Sequence, residues 1–125
     1  MTAVVPLERE VKSRVIAIFR AFGGRVFNLD QGFRPGGPRH GTTRQTKGLP
    51  DLYVMFPARR QAAWFEVKRP GGTRSPEQET FADLCEACGL PYNWGGAEEA
   101  YALLRRLGFE LLDNRGLSTV AEVAR

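Results

Sequence analysis

The sequence predicts an α/β domain whose elements follow the order α-β-β-β-α-β-α. Three observations carry that reading. Pro6 to Phe22 repeats apolar residues at helical spacing, Lys47 to Lys68 reads as two strands around a basic turn, and Ser75-Pro76-Glu77-Gln78 opens a second helix. The chain has 125 residues, 42% hydrophobic and 26% charged, which suits one globular domain with an ordinary core. We expect the domain to span residues 1–108, followed by a C-terminal extension or tail over 109–125.

In the first helix Leu7, Val11, Val15, Ile18, Phe19 and Phe22 fall on one stripe at about 100° per residue, and Gly23-Gly24 stops it. Glu8 lies within that stripe. Either it is a first-turn acid favoured by the helix dipole, or it points inward and needs a cation or basic group as partner. Glu10 falls outside the stripe, in reach of Arg14 one turn on.

Arg25 to Asp30 is a short strand candidate. After it, residues 31–47 hold four glycines and two prolines, too many for a regular element, together with Arg34, Arg39, Arg44 and Lys47 and no acidic residue. Loops of this length in compact domains are usually functional or disordered. This one is expected to be mobile when free and to order on a phosphate backbone.

Asp51 opens the strand DLYVMF, Pro57 to Gln61 makes the turn, and AAWFEVK returns. On the return strand Trp64, Glu66 and Lys68 share one face, the last two roughly 6.5 to 7 Å apart at their Cα atoms. Taken alone, Glu-x-Lys is most often an exposed ion pair. Here the strand is otherwise apolar, and sequential strands usually neighbour each other, so Asp51 comes alongside Glu66. Two acids at one sheet end disfavour each other's ionised forms, an arrangement that a cation relieves.

Ser75 suits the N-cap of the next helix, with Pro76 at its first position and Gln78 completing a capping box. That role needs no catalysis, although the helix start would also place Gln78 near the acids. Phe81 and Leu84, with Cys85 or Cys88, are expected on the core face. The C-x-x-C falls late in this helix and lacks further zinc ligands nearby, so it reads as two reduced, packing thiols. LPYNW is a short strand, placed at a sheet edge by Pro91. The last helix buries Ala100, Leu103, Leu104 and Leu107, and Phe109 to Leu112 could form a brief strand.

The formal charge is +4, from 18 Lys and Arg against 14 Asp and Glu. Its concentration on residues 31–47 points to a phosphate-bearing partner. With no signal-peptide pattern and no apolar run approaching the roughly 20 residues of a membrane span, a cytoplasmic location is expected.

The pieces in series resemble the VRR-NUC group of the PD-(D/E)XK nuclease superfamily, in its small standalone, Holliday-junction-resolvase-like form. The series is Glu8 with its E-x-x-V-x-x-x-V spacing, Gly48-Leu49-Pro50-Asp51, Glu66-Val67-Lys68, Pro70-Gly71-Gly72 and Ser75-Pro76-Glu77-Gln78. The resemblance implies a restriction-endonuclease-like core with a mixed central sheet flanked by helices, Mg²⁺ or Mn²⁺ dependence, and cleavage of DNA, with branched substrates and a homodimer typical of standalone members. It implies Asp51 and Glu66 as metal-binding acids, Lys68 as catalytic lysine, Glu8 as helix carboxylate and Gln78 as helix glutamine. The basic loop, longer than in compact members, is a departure.

On that footing, Asp51, Glu66 and the carbonyl of Val67 are expected to hold Mg²⁺, with Glu8 reaching a second metal or a metal-bound water. Lys68 would orient the nucleophilic water or stabilise developing charge. Arg34, Arg39, Arg44 and Lys47, joined by Arg59 and Arg60 from the turn, are the expected phosphate contacts, a weakly sequence-specific mode. The alternatives are a nucleic-acid-binding module without turnover, a nuclease subunit active only with a helicase or restriction partner, and a small basic structural protein whose acids form ordinary ion pairs.

Overall fold

The computed structural model describes residues 4–29 and 46–111. Its elements are α1 (Glu8–Ala21), β1 (Arg25–Asn28), β2 (Leu52–Phe56), a short 3-10 turn (Pro57–Arg59), β3 (Gln61–Val67), α2 (Pro76–Cys88), β4 (Tyr92–Gly95) and α3 (Ala97–Arg106). The strands form a single sheet in the order β1-β2-β3-β4. β1, β2 and β3 run antiparallel, whereas β4 pairs with β3 in parallel after the α2 crossover, which makes the sheet mixed. Among the described residues no helix is long and apolar enough to cross a membrane.

Strand alternation gives the sheet two unlike faces. Leu52, Val54 and Phe56 of β2, with Ala63, Phe65 and Val67 of β3, point into the core beneath α1 and α3. The α1 stripe meets them through Val11, Val15, Ile18 and Phe19, and the Phe19 ring stands edge-on to Phe65 at 5.4 Å. Ala100, Leu103, Leu104 and Leu107 complete the core from α3. Tyr53, Trp64 and Tyr92 lie on the opposite face, where Phe81 of α2 packs against Trp64 at 5.1 Å and Tyr92 at 6.4 Å.

Several sequence expectations are corrected by this packing. Leu7 is exposed at the helix start, and Glu10 bonds the Leu7 backbone N–H at 3.0 Å. α2 covers only the β3–β4 side of its face, so Leu84 is 58% exposed and Cys88 is exposed while Cys85 is buried. No strand forms over Phe109 to Leu111, and Leu112 lies outside the described residues. Instead Phe109 packs on Phe56 at 5.0 Å and on Phe22 at 5.7 Å, and Leu111 is buried. The start of the presumed tail is thus part of the core.

Arg59 fixes that closing segment. Its guanidinium donates to the Leu107 carbonyl at 3.0 Å and to Gln61 at 3.1 Å, and lies 4.2 Å over the Phe109 ring. Gln61 donates to the same carbonyl at 3.1 Å, so the two satisfy a carbonyl left over at the end of α3. Arg59→Ala should lower stability by about 1–2 kcal/mol through the lost hydrogen bonds and ring contact. Arg60→Ala, at an exposed neighbour, should stay within about 0.5 kcal/mol, with urea titrations of both variants as the measurement.

Candidate functional site

The antiparallel register of β2 and β3 pairs Leu52 with Phe65, so Asp51 and Glu66 come next along the ladder, side by side where β2 begins and β3 ends. They interlock. The Asp51 backbone N–H donates to Glu66 Oε1 at 3.2 Å, and the Val67 N–H donates to Asp51 Oδ2 at 3.0 Å. Asp51 is also tied to β1, its carbonyl accepting from Leu29 N–H at 2.7 Å. Pro50 before it is fully buried. Gly48 has a φ of +90°, and a Cβ there would collide with the Glu77 carbonyl, so only glycine lets this turn press against the first turn of α2.

That contact matters because α2 carries Gln78. Its side-chain oxygen accepts from the Ser75 N–H at 2.8 Å while its amide donates to Glu66 Oε2 at 2.7 Å. The capping box and the acidic site therefore share one residue, and the cap holds the amide in line with the carboxylate. Lys68, two residues beyond Glu66 on the same face, brings its ammonium to 3.8 Å from Glu66 Oε2.

Glu66 is only 3% exposed, the one charged residue that is buried among the described residues. Burial, then the charge of Asp51, pushes its carboxyl up to about 7, against the opposing pull of Lys68 and the Asp51 N–H; Glu8 adds a smaller upward push. A cation beside Asp51 and Glu66 would offset these upward causes by favouring the ionised carboxylate. The donors are all oxygen, the type Mg²⁺ and Mn²⁺ prefer, and Mg²⁺ is commonly held by one or two carboxylates with waters and substrate phosphate completing its shell. On these grounds the residues fit such an ion.

Of the two sequence readings of Glu8, the structure shows the first-turn acid and not the inward carboxylate. It is exposed in the first turn of α1 rather than buried, because the stripe begins one turn later at Val11. Its charge reaches Glu66, yet no cluster of three or more His, Cys, Asp or Glu side chains able to hold a metal gathers among the described residues. Val67 buries its side chain in the core between Glu66 and Lys68.

The basic residues divide by position. Lys47 is exposed in the turn leading to Asp51. Arg34, Arg39 and Arg44 lie outside the described residues. Arg59 and Arg60 sit at the opposite end of the β2–β3 hairpin, five residues or roughly 17 Å from the acids along the strand. Arg59 is committed to the α3 terminus and Arg60 is exposed at the turn, so both lie away from the acids.

Two residues not singled out from sequence adjoin the site. The parallel register pairs Trp94 with Glu66. Arg74, just before the α2 cap, lies 4.5 Å over the Trp94 ring, and its positive charge pulls down the Tyr92 hydroxyl that burial pushes up. The available signals were a tryptophan before Gly95-Gly96 and an arginine beside a helix start. Neither shows a register.

No protein-family model and no curated protein matches the sequence. A solved structure described as a VRR_NUC domain matches with a TM-score of 0.58 and 23% sequence identity, over 82% of this chain and 97% of that one. The chain has the fold of a VRR_NUC domain, a mixed sheet flanked by helices.

Between the ordinary carboxylate value of 4.5 and about 7, the folded chain keeps a Glu66 proton that the unfolded chain has released. Stability of the metal-free protein should therefore fall as pH rises through that window and level off above it. Denaturant midpoints in EDTA from pH 4 to 8 measure this, and Glu66→Gln should remove most of the slope.

Proposed function

We propose that this protein is a Mg²⁺- or Mn²⁺-dependent deoxyribonuclease of the PD-(D/E)XK type, an endonuclease that hydrolyses phosphodiester bonds in branched DNA such as Holliday junctions and works as a homodimer. The observation that carries the proposal is the interlocked pair Asp51 and Glu66 with Lys68 at 3.8 Å, gathered where β2 begins and β3 ends. The VRR_NUC fold supports it as analogy, since fold alone does not fix chemistry.

Asp51 and Glu66, with the Val67 carbonyl, are the groups that would hold the ion. When bound, such a cation supplies Lewis acidity toward the phosphate and toward water. Lys68 offers N–H donors to the nucleophilic water and to charge developing on the phosphoryl oxygens. Gln78 is a positioning residue. Its 2.7 Å bond fixes one Glu66 oxygen, and its cap bond fixes Gln78 in turn. Glu8 is proposed as an outer carboxylate that orients water. DNA would be gripped through its phosphates by Lys47 and by Arg34, Arg39 and Arg44 of the basic loop, so binding should weaken steeply with salt.

The second reading is a nucleic-acid-binding module, or a nuclease subunit that cuts only with a helicase or restriction partner. The observation favouring it is that only two acids, not three, converge among the described residues.

Labelled four-way junction, flap and linear duplex incubated with Mg²⁺, Mn²⁺ or EDTA separate the two. Metal-dependent cutting should fall by about 10²–10³-fold or more in Asp51→Ala and Lys68→Ala, and by less in Gln78→Ala. Unchanged cutting in the first two variants would sink the site assignment; tight binding with no cutting under any metal would favour the module. Light scattering should give twice the chain mass of 13.9 kDa, and a monomer would retire the dimer.

A further inference from the structure

We propose that the cleft beside Lys68 seats an unpaired nucleotide of the substrate, with its base stacked on Trp94. This deepens the nuclease reading and rests on it. The half-open cleft holds about 820 Å³ at the end of β3 and β4, between the starts of α1 and α3. That is the size of sites for small-molecule groups. A base still in its duplex stack cannot enter such a space, whereas an unpaired or extruded one can.

The wall matches a nucleotide in its parts. Trp94 contributes an aromatic surface on the strand next to Glu66. Arg74 lies over one face of that ring, 4.5 Å from its centroid, without belonging to the wall, which leaves the other face for a base. Arg14, Lys68 and Arg69 line the cleft and supply cations for flanking phosphates. Of the acids there, Glu10 and Glu99 spend an oxygen each on the Leu7 and Gly96 N–H groups, at 3.0 Å and 2.9 Å. Glu98 is the remaining acid, exposed on the first turn of α3. With three cations against three carboxylates and an aromatic surface among them, the wall suits a base with its phosphates on the cationic residues better than a free anion.

The position adds a functional consequence. Lys68 belongs both to the proposed catalytic group and to the cleft wall, so a base seated there has its backbone beside Asp51 and Glu66. The enzyme would favour DNA with an unpaired nucleotide next to the cut, at a flap, gap or junction, over a fully paired duplex.

The test uses the full chain in EDTA, where nothing is cut. Trp64→Phe leaves Trp94 as the only tryptophan of the two. Titration with a short oligodeoxythymidine should quench its fluorescence, with the same midpoint as the anisotropy of labelled oligonucleotide. In the otherwise native chain Trp94→Ala should weaken single-strand binding by roughly 5- to 150-fold, leave duplex binding unchanged, and be largely rescued by Trp94→Phe. Binding without quenching, no binding of the oligonucleotide, or equal losses for single strand and duplex would each overturn the proposal. If Trp64→Phe disturbs folding, the quench lost between the native chain and Trp94→Phe gives the same readout. Quenching with no metal-dependent cutting would retire the nuclease reading alone; cutting without quenching would retire the stacking site alone.

Discussion

Burying a carboxylate next to a second one is unfavourable, and the architecture around Glu66 is arranged to make it tolerable. The Asp51 N–H, the Gln78 amide and the Lys68 ammonium all face its oxygens, which offsets part of the desolvation and leaves the carboxyl at about 7. Each of those donors comes from a different piece of the fold. Asp51 arrives through the β2 register, Gln78 through the start of α2, and Lys68 through strand parity. In a site held this way, moving one member breaks a bond to another.

The hairpin explains which basic residues can serve that site. A strand pair has two ends, and β2 and β3 put the acids at one and the turn at the other. The turn arginines are thereby removed from the chemistry, and Arg59 is used to close the molecule. It satisfies the Leu107 carbonyl and covers Phe109, fastening the segment after α3 to the core. The closing contacts of Arg59 and the paired acids occupy opposite ends of the same two strands.

The cleft is set by the same economy of placement. Parallel pairing of β4 with β3 brings two strands to one end of the sheet together with the starts of α1 and α3. In open α/β sheets, crevices at the carboxyl ends of strands are where ligands bind, and this one opens beside Lys68.

What the sequence alone determined is what local patterning can specify. Helical spacing located α1 and its buried residues Val11, Val15, Ile18 and Phe19; alternation located β2 and β3 and placed Glu66 and Lys68 on one face; the Ser75 to Gln78 box located the start of α2. Asp51 beside Glu66 followed from the hairpin, because a short turn leaves few registers open. The tertiary structure decided the rest. The exposure of Glu8 depends on which turn of α1 first meets the core. The double use of Gln78 depends on how closely α2 approaches β3, and the loss of Arg59 to the core depends on where the chain returns after α3. Trp94 depends on a parallel register that no turn encodes. Such contacts join residues far apart in sequence, and their geometry is fixed by packing rather than by any local pattern.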